Sequence, residues 1–244
     1  MIDEHRLNSS TNQLLGFMPA ADKDLLASRL RPVNLEIKRV LEKAFEPIEF
    51  VYFPENGIAS VAGAAKPDQQ IEIGMIGREG MTGLKVVLGD DRSPYETFVQ
   101  AEGQALQIGS DSLRLAMKQS ETMRDIMLRY VQVFMVQTAQ TVLANAIALL
   151  PQKLARWLLM MEDRLSNKQL PLTHELLAVM IGAQRPGVTL ALGELEDRGF
   201  IHARRGLITI LDRAALIDMA KGLYGPAEKE YQRCLSPLGQ ARTV

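Results

Sequence analysis

Between residues 32 and 108 the apolar positions come in short β-prone runs, at 33–35, 50–53, 58–61, 71–73, 98–100 and 105–108, separated by glycine and polar turns. Runs of that length and spacing predict a small antiparallel roll. Ahead of them a polar arm leads into two short helices, one carrying Leu14, Leu15 and Phe17 before Pro19, the other Leu25, Leu26 and Leu30 after it. Beyond Ser110 the period lengthens. A short helix over 112–117 precedes a long one over about 121–150, in which Leu128, Val131, Met135, Val136, Ala139, Val142, Leu143, Ala146, Leu149 and Leu150 share a broad arc. Ile126, Tyr130, Val133 and Phe134 add apolar surface elsewhere, and a helix apolar around so much of its girth needs cover on more than one side. The roll supplies one cover and the same helix of a second subunit another; a central helix in a monomeric core would show the same pattern. Pro151 ends the helix, and Leu154, Trp157, Leu158 and Met161 begin the next.

The most informative spacing lies further on, at 173–211. Thr173 can cap a helix whose Leu176, Leu177, Met180 and Ile181 recur at three and four. Ala178 is small enough for two helices to cross over it, and Gly182 suits a helix stop in a left-handed conformation. Pro186 falls in the first turn of the next helix, where its missing N–H costs nothing. Val188, Ala191, Leu192 and Leu195 then face inward, leaving Gln184, Arg185, Pro186, Thr189 and Leu190 outward. Residues 200–201 and 207–211 read as short strands around a basic turn, Arg204-Arg205-Gly206. This is the pattern of a helix-turn-helix followed by a two-stranded wing, a module whose second helix enters the major groove. Arg185 can pair with guanine and Gln184 with adenine. His174, Arg204 and Arg205 are candidates for phosphate, and Gly187, Pro186, Thr189 and Leu190 complete the candidate DNA-binding set. Readers of this kind usually bind two half-sites, which favours the dimer, with Leu128, Val131, Met135, Val142 and Leu149 as its interface.

Charge changes the picture only locally. Over 244 residues the net charge is −1, yet residues 1–150 carry 15 basic against 19 acidic side chains and residues 151–244 carry 13 against 10. Affinity for nucleic acid must therefore come from a patch rather than a general field. One cysteine, Cys234, excludes a disulfide framework within the monomer, and His5, His174 and His202 share no ligand spacing, so no metal site is expected. Residues 130–152 carry no charge and are long enough to span a bilayer, but Gln132, Gln137, Thr138, Gln140, Thr141 and Asn145 would be costly in hydrocarbon, so a buried helix is expected. The start, MIDEHRLNSS, is unlike a signal peptide, and a cytoplasmic protein is expected.

A roll, a long helix, a break and a winged helix-turn-helix, in that order, resemble the cyclic-AMP receptor and fumarate–nitrate regulator (Crp/Fnr) family of transcription factors. The likeness runs from about Leu14 to Leu216. It is carried by Val51-Tyr52-Phe53-Pro54 with Gly57, by Ile76-Gly77-Arg78-Glu79-Gly80-Met81-Thr82-Gly83, by Leu154-Ala155-Arg156-Trp157-Leu158, and by the helix-turn-helix itself. The resemblance implies an α+β fold: an N-terminal antiparallel β-roll of the cyclic-nucleotide-binding jelly-roll kind over 1–118, a dimerisation helix over 119–150 and a C-terminal winged helix-turn-helix over 151–244. It also implies a homodimer whose partners are double-stranded DNA and RNA polymerase, with an unidentified small-molecule effector. The family's effector pocket uses a Gly-Glu pair for ribose and an Arg-Ser or Arg-Thr pair for the cyclic phosphate. By position Gly83-Leu84 and Glu96-Thr97 correspond. Gly83 and Thr97 match, whereas Leu84 cannot accept a ribose hydroxyl and a Glu96 carboxylate would repel phosphate; Arg92 is the nearby candidate substitute. Cyclic AMP is accordingly not the expected effector. The iron–sulfur branch of the family needs cysteines near its start and the haem-sensing branch needs axial ligands in the roll, and neither set is present, so no cofactor is expected.

A homodimeric transcription regulator is thus the first reading. The alternative is a ligand-sensing or scaffold protein whose helix-turn-helix makes protein contacts only. An enzyme ranks last, since the sequence shows no nucleophile–base pair, and Gly77-Arg78-Glu79-Gly80 lacks the lysine of a phosphate-binding loop.

Overall fold

The computed structural model describes residue 7 and residues 9–64, 70–165 and 169–235. His5 and most of the polar arm lie outside them. Two short helices, α1 (Gln13–Gly16) and α2 (Ala20–Ala27), open the described chain. Seven strands follow: β1 (Arg31–Leu35), β2 (Val40–Glu42), β3 (Phe50–Pro54), β4 (Ile58–Ala64), β5 (Gln70–Ile76), β6 (Glu96–Ala101) and β7 (Gly103–Gly109), with a four-residue helix α3 (Leu84–Val87) between β5 and β6. They form two antiparallel sheets, ordered β1-β7-β3 and β2-β6-β4-β5. The expected roll is there, and all six runs fall on strands. β2 and α3 were not foreseen, because a three-residue strand and a single helical turn are too short to show a period.

Helix α4 (Ser110–Gln119) leads into the long helix α5 (Glu121–Ile147), whose first turn is capped by the Ser120 hydroxyl accepting the Met123 N–H at 3.0 Å. The helix stops three residues short of the expected end. Ala148 and Leu149 are extended, and α6 (Leu150–Arg164) begins at once with Leu149 as its N-cap. The cause is Pro151, which in a continuing helix could not donate to the Ile147 carbonyl and would set its ring against it, but which fits the first turn of a new helix. Leu149, placed in the dimer interface from the sequence, is therefore an exposed residue of the break and not of the long helix. No single helix among the described residues is long and apolar enough to cross a membrane.

After α6 come β8 (Gln169–Leu170), α7 (His174–Met180), α8 (Arg185–Asp197), β9 (Ile201–Arg204), β10 (Leu207–Ile210) and α9 (Arg213–Met219). The wing is three-stranded, ordered β8-β10-β9, where two strands were expected; β8 is only two residues long. The last helix, α10 (Pro226–Leu235), was not anticipated. It packs back along α5, and its Tyr231, Cys234 and Leu235 enter the core formed by α1, α4, the first half of α5 and the roll. A second core joins α6 to α9, and Ile58, Met75 and Ala101 of the roll are part of it.

Strand β5 is the common wall of these units. Gln137 of α5 accepts the Met75 N–H at 2.7 Å and donates to the Met75 carbonyl at 3.1 Å, as if it were another strand. Glu72, fully buried on the same strand, accepts the Trp157 indole N–H of α6 at 2.8 Å and the Ser60 hydroxyl of β4. Burial pushes the Glu72 carboxyl up to about 7, although the Ser60 and Trp157 hydrogen bonds, Arg164 and Arg156 all pull it down. Its ordinary value in the unfolded chain is 4.5. Between pH 4.5 and about 7 the folded state thus holds a proton that the unfolded state has lost, so Glu72 lowers stability progressively as pH rises through that window. The upper bound on this loss is about 3 kcal/mol. Glu72→Gln keeps the hydrogen bonds and removes the ionisation; in urea titrations the variant is expected to gain on the wild type from pH 4.5 to about 7, and parallel pH profiles would show that Glu72 does not titrate with folding.

Candidate functional site

Two sites organise the chain: the helix-turn-helix with its wing, and a cavity between the roll and α5. In the first, the Thr173 hydroxyl accepts the Leu176 N–H at 3.1 Å, capping α7 as expected. Gly182 takes the turn at φ 63°, in the left-handed region that disfavours a side chain, and α7 and α8 then cross at 108°. Val188, Ala191, Leu192 and Leu195 are buried under α8, each of the larger ones contributing roughly 1.5–3 kcal/mol by leaving water. Gln184, Arg185, Pro186, Thr189 and Leu190 face out, and Leu190 is 77% exposed. Gly187 does not join that face: it is half-buried, and a Cβ there would stand 3.2 Å from the Leu150 side chain, so it lets α8 approach α6.

The remaining members are not alike. His174 Nδ1 lies 2.9 Å from the Thr189 hydroxyl, which itself donates to the Arg185 carbonyl at 3.1 Å, so His174 ties α7 to α8. Arg204 closes β9 rather than occupying the turn, which consists of Arg205 and Gly206. Its Nε donates to His202 Nε2 at 3.0 Å; that nitrogen is then unprotonated, and His202 Nδ1–H donates to Glu196 at 3.0 Å. The Ala203 N–H, bound to Glu196 at 3.0 Å, holds that carboxyl below its ordinary value. Arg204 is thus braced from α8 through His202. The guanidinium groups of Arg185 and Arg205 make no ion pair among the described residues. Thr173, His174, Arg185, Arg204 and Arg205 line a groove of about 390 Å³ between α8 and the wing.

The second site is a cavity of about 380 Å³. Its walls are apolar over Val61, Ile73, Ile76, Leu84, Val131 and Phe134, with a polar corner at Glu42, Gly83 and Thr97. Gly83 sits at φ 71° directly before α3, and its N–H is donated to Glu42 Oε1 at 2.5 Å. Thr97 donates to the other oxygen of Glu42 at 3.0 Å. Glu42 is buried. Desolvation raises its carboxyl above the ordinary value against the pull of the Gly83 N–H, the Thr97 and Thr82 hydroxyls and Lys85.

Of the five effector candidates, Gly83, Leu84 and Thr97 line this cavity. Glu96 does not. Alternation along β6 turns it to the other face, where Gln70 Nε2 donates to it at 3.2 Å. The carboxylate in the cavity belongs to Glu42, which is remote in sequence and invisible to a motif comparison. Arg92 also points elsewhere: it is exposed, pairs with Asp91 at 3.4 Å and donates to the Phe45 carbonyl at 3.3 Å. Among the dimer candidates Leu128, Met135 and Val142 are exposed along α5, whereas Val131 is 6% exposed and packs into its own roll. It is therefore no part of the exposed stripe.

Residues 152–219 match the family model of the Crp-like helix-turn-helix domain. By structure the chain is similar to FixK2 from Bradyrhizobium japonicum, with a TM-score of 0.68 at 14% identity over 78% of this chain and 96% of that one. A CRP-family transcriptional regulator from Thermus thermophilus gives 0.65 at 17% identity, covering 78% and 97%. A CRP/FNR-family regulator from the same organism gives 0.58 at 18% identity, covering 79% and 99%. Compared by sequence with curated proteins, the chain matches none. The carboxyl-terminal region is a Crp-like helix-turn-helix domain. The rest of the chain shares the fold of those regulators, the arrangement that the resemblance implied.

Proposed function

We propose that this protein is a homodimeric, sequence-specific regulator of transcription that does not respond to cyclic AMP. In this reading residues 1–118 form the sensing unit, 119–150 the dimerisation helix and 151–244 the DNA-binding unit, with RNA polymerase as a further partner. The observation that carries it is the outward face of α8. Arg185 stands there without an acidic partner among the described residues, beside Thr189 and Leu190, and across the groove from Arg205 on the wing. Such a face offers a bidentate donor to guanine and a methyl-sized apolar contact to thymine, flanked by a cation for phosphate. Arg185→Ala is expected to lose about 1–3 kcal/mol of discrimination at one base pair in each half-site. Arg205→Ala should instead weaken all sequences alike and flatten the dependence on salt. Competition titrations on specific and random duplexes separate the two; equal losses on both for Arg185→Ala would refute its role in base reading.

The subunit contact in this reading is the exposed stripe of α5. Leu128, Met135 and Val142 follow one another at intervals of seven, the repeat of a two-stranded coiled coil. Val142 is 69% exposed in the single chain, so Val142→Asp leaves the fold intact and strikes only the contact between copies. Light scattering at micromolar concentration should give a dimer for the wild type and a folded monomer for the variant. A folded Val142→Asp dimer would assign the interface elsewhere.

For the effector, the polar corner of the roll cavity supports the exclusion. The two donors that a cyclic phosphate would use, the Gly83 N–H and the Thr97 hydroxyl, are both engaged by Glu42, and among the described residues Lys85 is the lone cation on the wall. The corner is at most neutral where a phosphate requires a guanidinium, a contact whose loss costs about 1.5–3 kcal/mol before any repulsion. The apolar remainder suits an uncharged ligand. Calorimetry of the dimer with cyclic AMP and cyclic GMP should show no saturable heat at micromolar concentration; micromolar binding together with tighter DNA binding would overturn this reading of the cavity.

A further inference from the structure

Another cavity, of about 270 Å³, opens where α5, α6 and α10 meet, and Phe134 of α5 lines both it and the roll cavity. Its walls are aromatic. Tyr130 and Phe134 come from α5, Tyr224 from the segment after α9, and Tyr231 from α10. The outer two rings are fixed. Tyr224 donates its hydroxyl to Asp163 at 2.6 Å and accepts from Arg213, while Tyr231 donates to the Glu79 carbonyl at 3.0 Å and packs its ring against Phe17 at 6.1 Å between centroids.

The charges around these rings do not cancel. Glu79, Asp163 and Glu228 line the cavity against a single guanidinium, Arg164. Arg164 is already committed, with Nε on Glu79 at 2.8 Å and Nη1 on the Met160 carbonyl at 2.8 Å. Arg213, behind the wall, answers Asp163 at 2.6 Å and Glu162 as well. Arg156 lies near, but its donors go to the Leu223 carbonyl at 3.1 Å and the Thr141 hydroxyl at 3.2 Å. Glu228 accepts only the Gly225 N–H, at 2.8 Å, and among the described residues has no ion-pair partner at contact distance. A further polar group is left over: the hydroxyl of Tyr130 is completely buried, and the Met81 N–H approaches it without completing a hydrogen bond. That hydroxyl is sealed from the cavity against Gly80, so Tyr130 offers an occupant its ring alone.

We infer that this cavity is a binding site for a small organic cation, an amine or quaternary ammonium group carrying a short polar or apolar tail. Tyrosine rings attract a cation through the ring quadrupole, as Arg213 does over one face of Tyr224 at 5.5 Å, and Glu228, whose charge Arg156 and Arg164 feel without a direct ion pair, adds a carboxylate at the wall. The size is at the small end for ligand pockets, which limits the occupant to a few heavy atoms beyond the cationic head. Because the walls come from α5, α6 and α10, an occupant would bridge the long helix to the elements on either side of the DNA-binding domain.

The experiment is ligand-observed NMR on the full-length protein with four probes of similar size: tetramethylammonium and n-butylammonium as cations, butanol as the neutral isostere and butyrate as the anion. Saturable binding of at least one cation is expected, with butanol and butyrate at least tenfold weaker. Glu228→Gln should weaken the cation by at least tenfold while leaving butanol unchanged, and Tyr224→Phe, which keeps the ring, should retain most of the binding. Thermal melting checks that each variant is folded. A site that prefers butanol or butyrate, that ignores Glu228→Gln, or that binds none of the four would overturn the assignment.

Discussion

The structure depends on one strand serving three partners. β5 is a wall of the roll on one side, and along its length it holds α5 through Gln137, α6 through the Glu72–Trp157 hydrogen bond and α7 through Ile71, whose side chain lies against Gly182 in the helix-turn-helix turn. A buried carboxyl group is an expensive way to hold a tryptophan in place, and the upward push of burial on its pKa shows the cost. What it provides is direction: an indole N–H and a buried carboxylate satisfy each other in one geometry only, whereas apolar side chains accept many. The orientation of the DNA-binding domain on the roll is thereby set by a polar contact within an otherwise apolar core.

That orientation gives the rest its meaning. The break at Ala148 and Leu149 frees α6 from the direction of α5, and the Glu72–Trp157 contact then fixes it again from the roll side. The helix α10 adds a third restraint from the far end of the chain, with Gln132 of α5 donating to Glu230 at 3.1 Å and Arg129 to the Cys234 carbonyl at 3.3 Å. Both cavities border α5 from different sides, one under the roll and one under α10. Any occupant of either therefore acts on the same rigid element. Within the reading domain the same economy recurs, with His174 linking the two helices and Glu196 bracing the wing through His202.

Much of this was legible in the sequence, for reasons that can be named. The strands of the roll alternate or run apolar for long enough to show, and the helix-turn-helix is dense in position-specific requirements: a cap at Thr173, a left-handed turn at Gly182, a proline at the start of α8. Its inward and outward faces came out as the spacing predicts. The cavity chemistry did not. Strand alternation puts Thr97 into the pocket and Glu96 out of it, and Glu42 enters from a three-residue strand that no periodicity reveals. Val131 shares the arc of the exposed stripe on a helical wheel, yet the roll wraps far enough around α5 to bury it. Helix α10 was missed although its buried Ala227, Tyr231, Cys234 and Leu235 recur at the spacing of one helical face, because Ala227 and Cys234 are only weakly apolar and leave the stripe faint.

The central claim is that a Crp-like reading domain on this fold presents two copies of one DNA-binding face in fixed relation. Selection of bound duplexes from a random library by the wild-type protein tests it directly. The account predicts enrichment of a two-fold-symmetric sequence whose half-site centres lie about one helical turn, roughly 34–36 Å, apart. Enrichment of a single asymmetric half-site, or of no sequence at all, would contradict it.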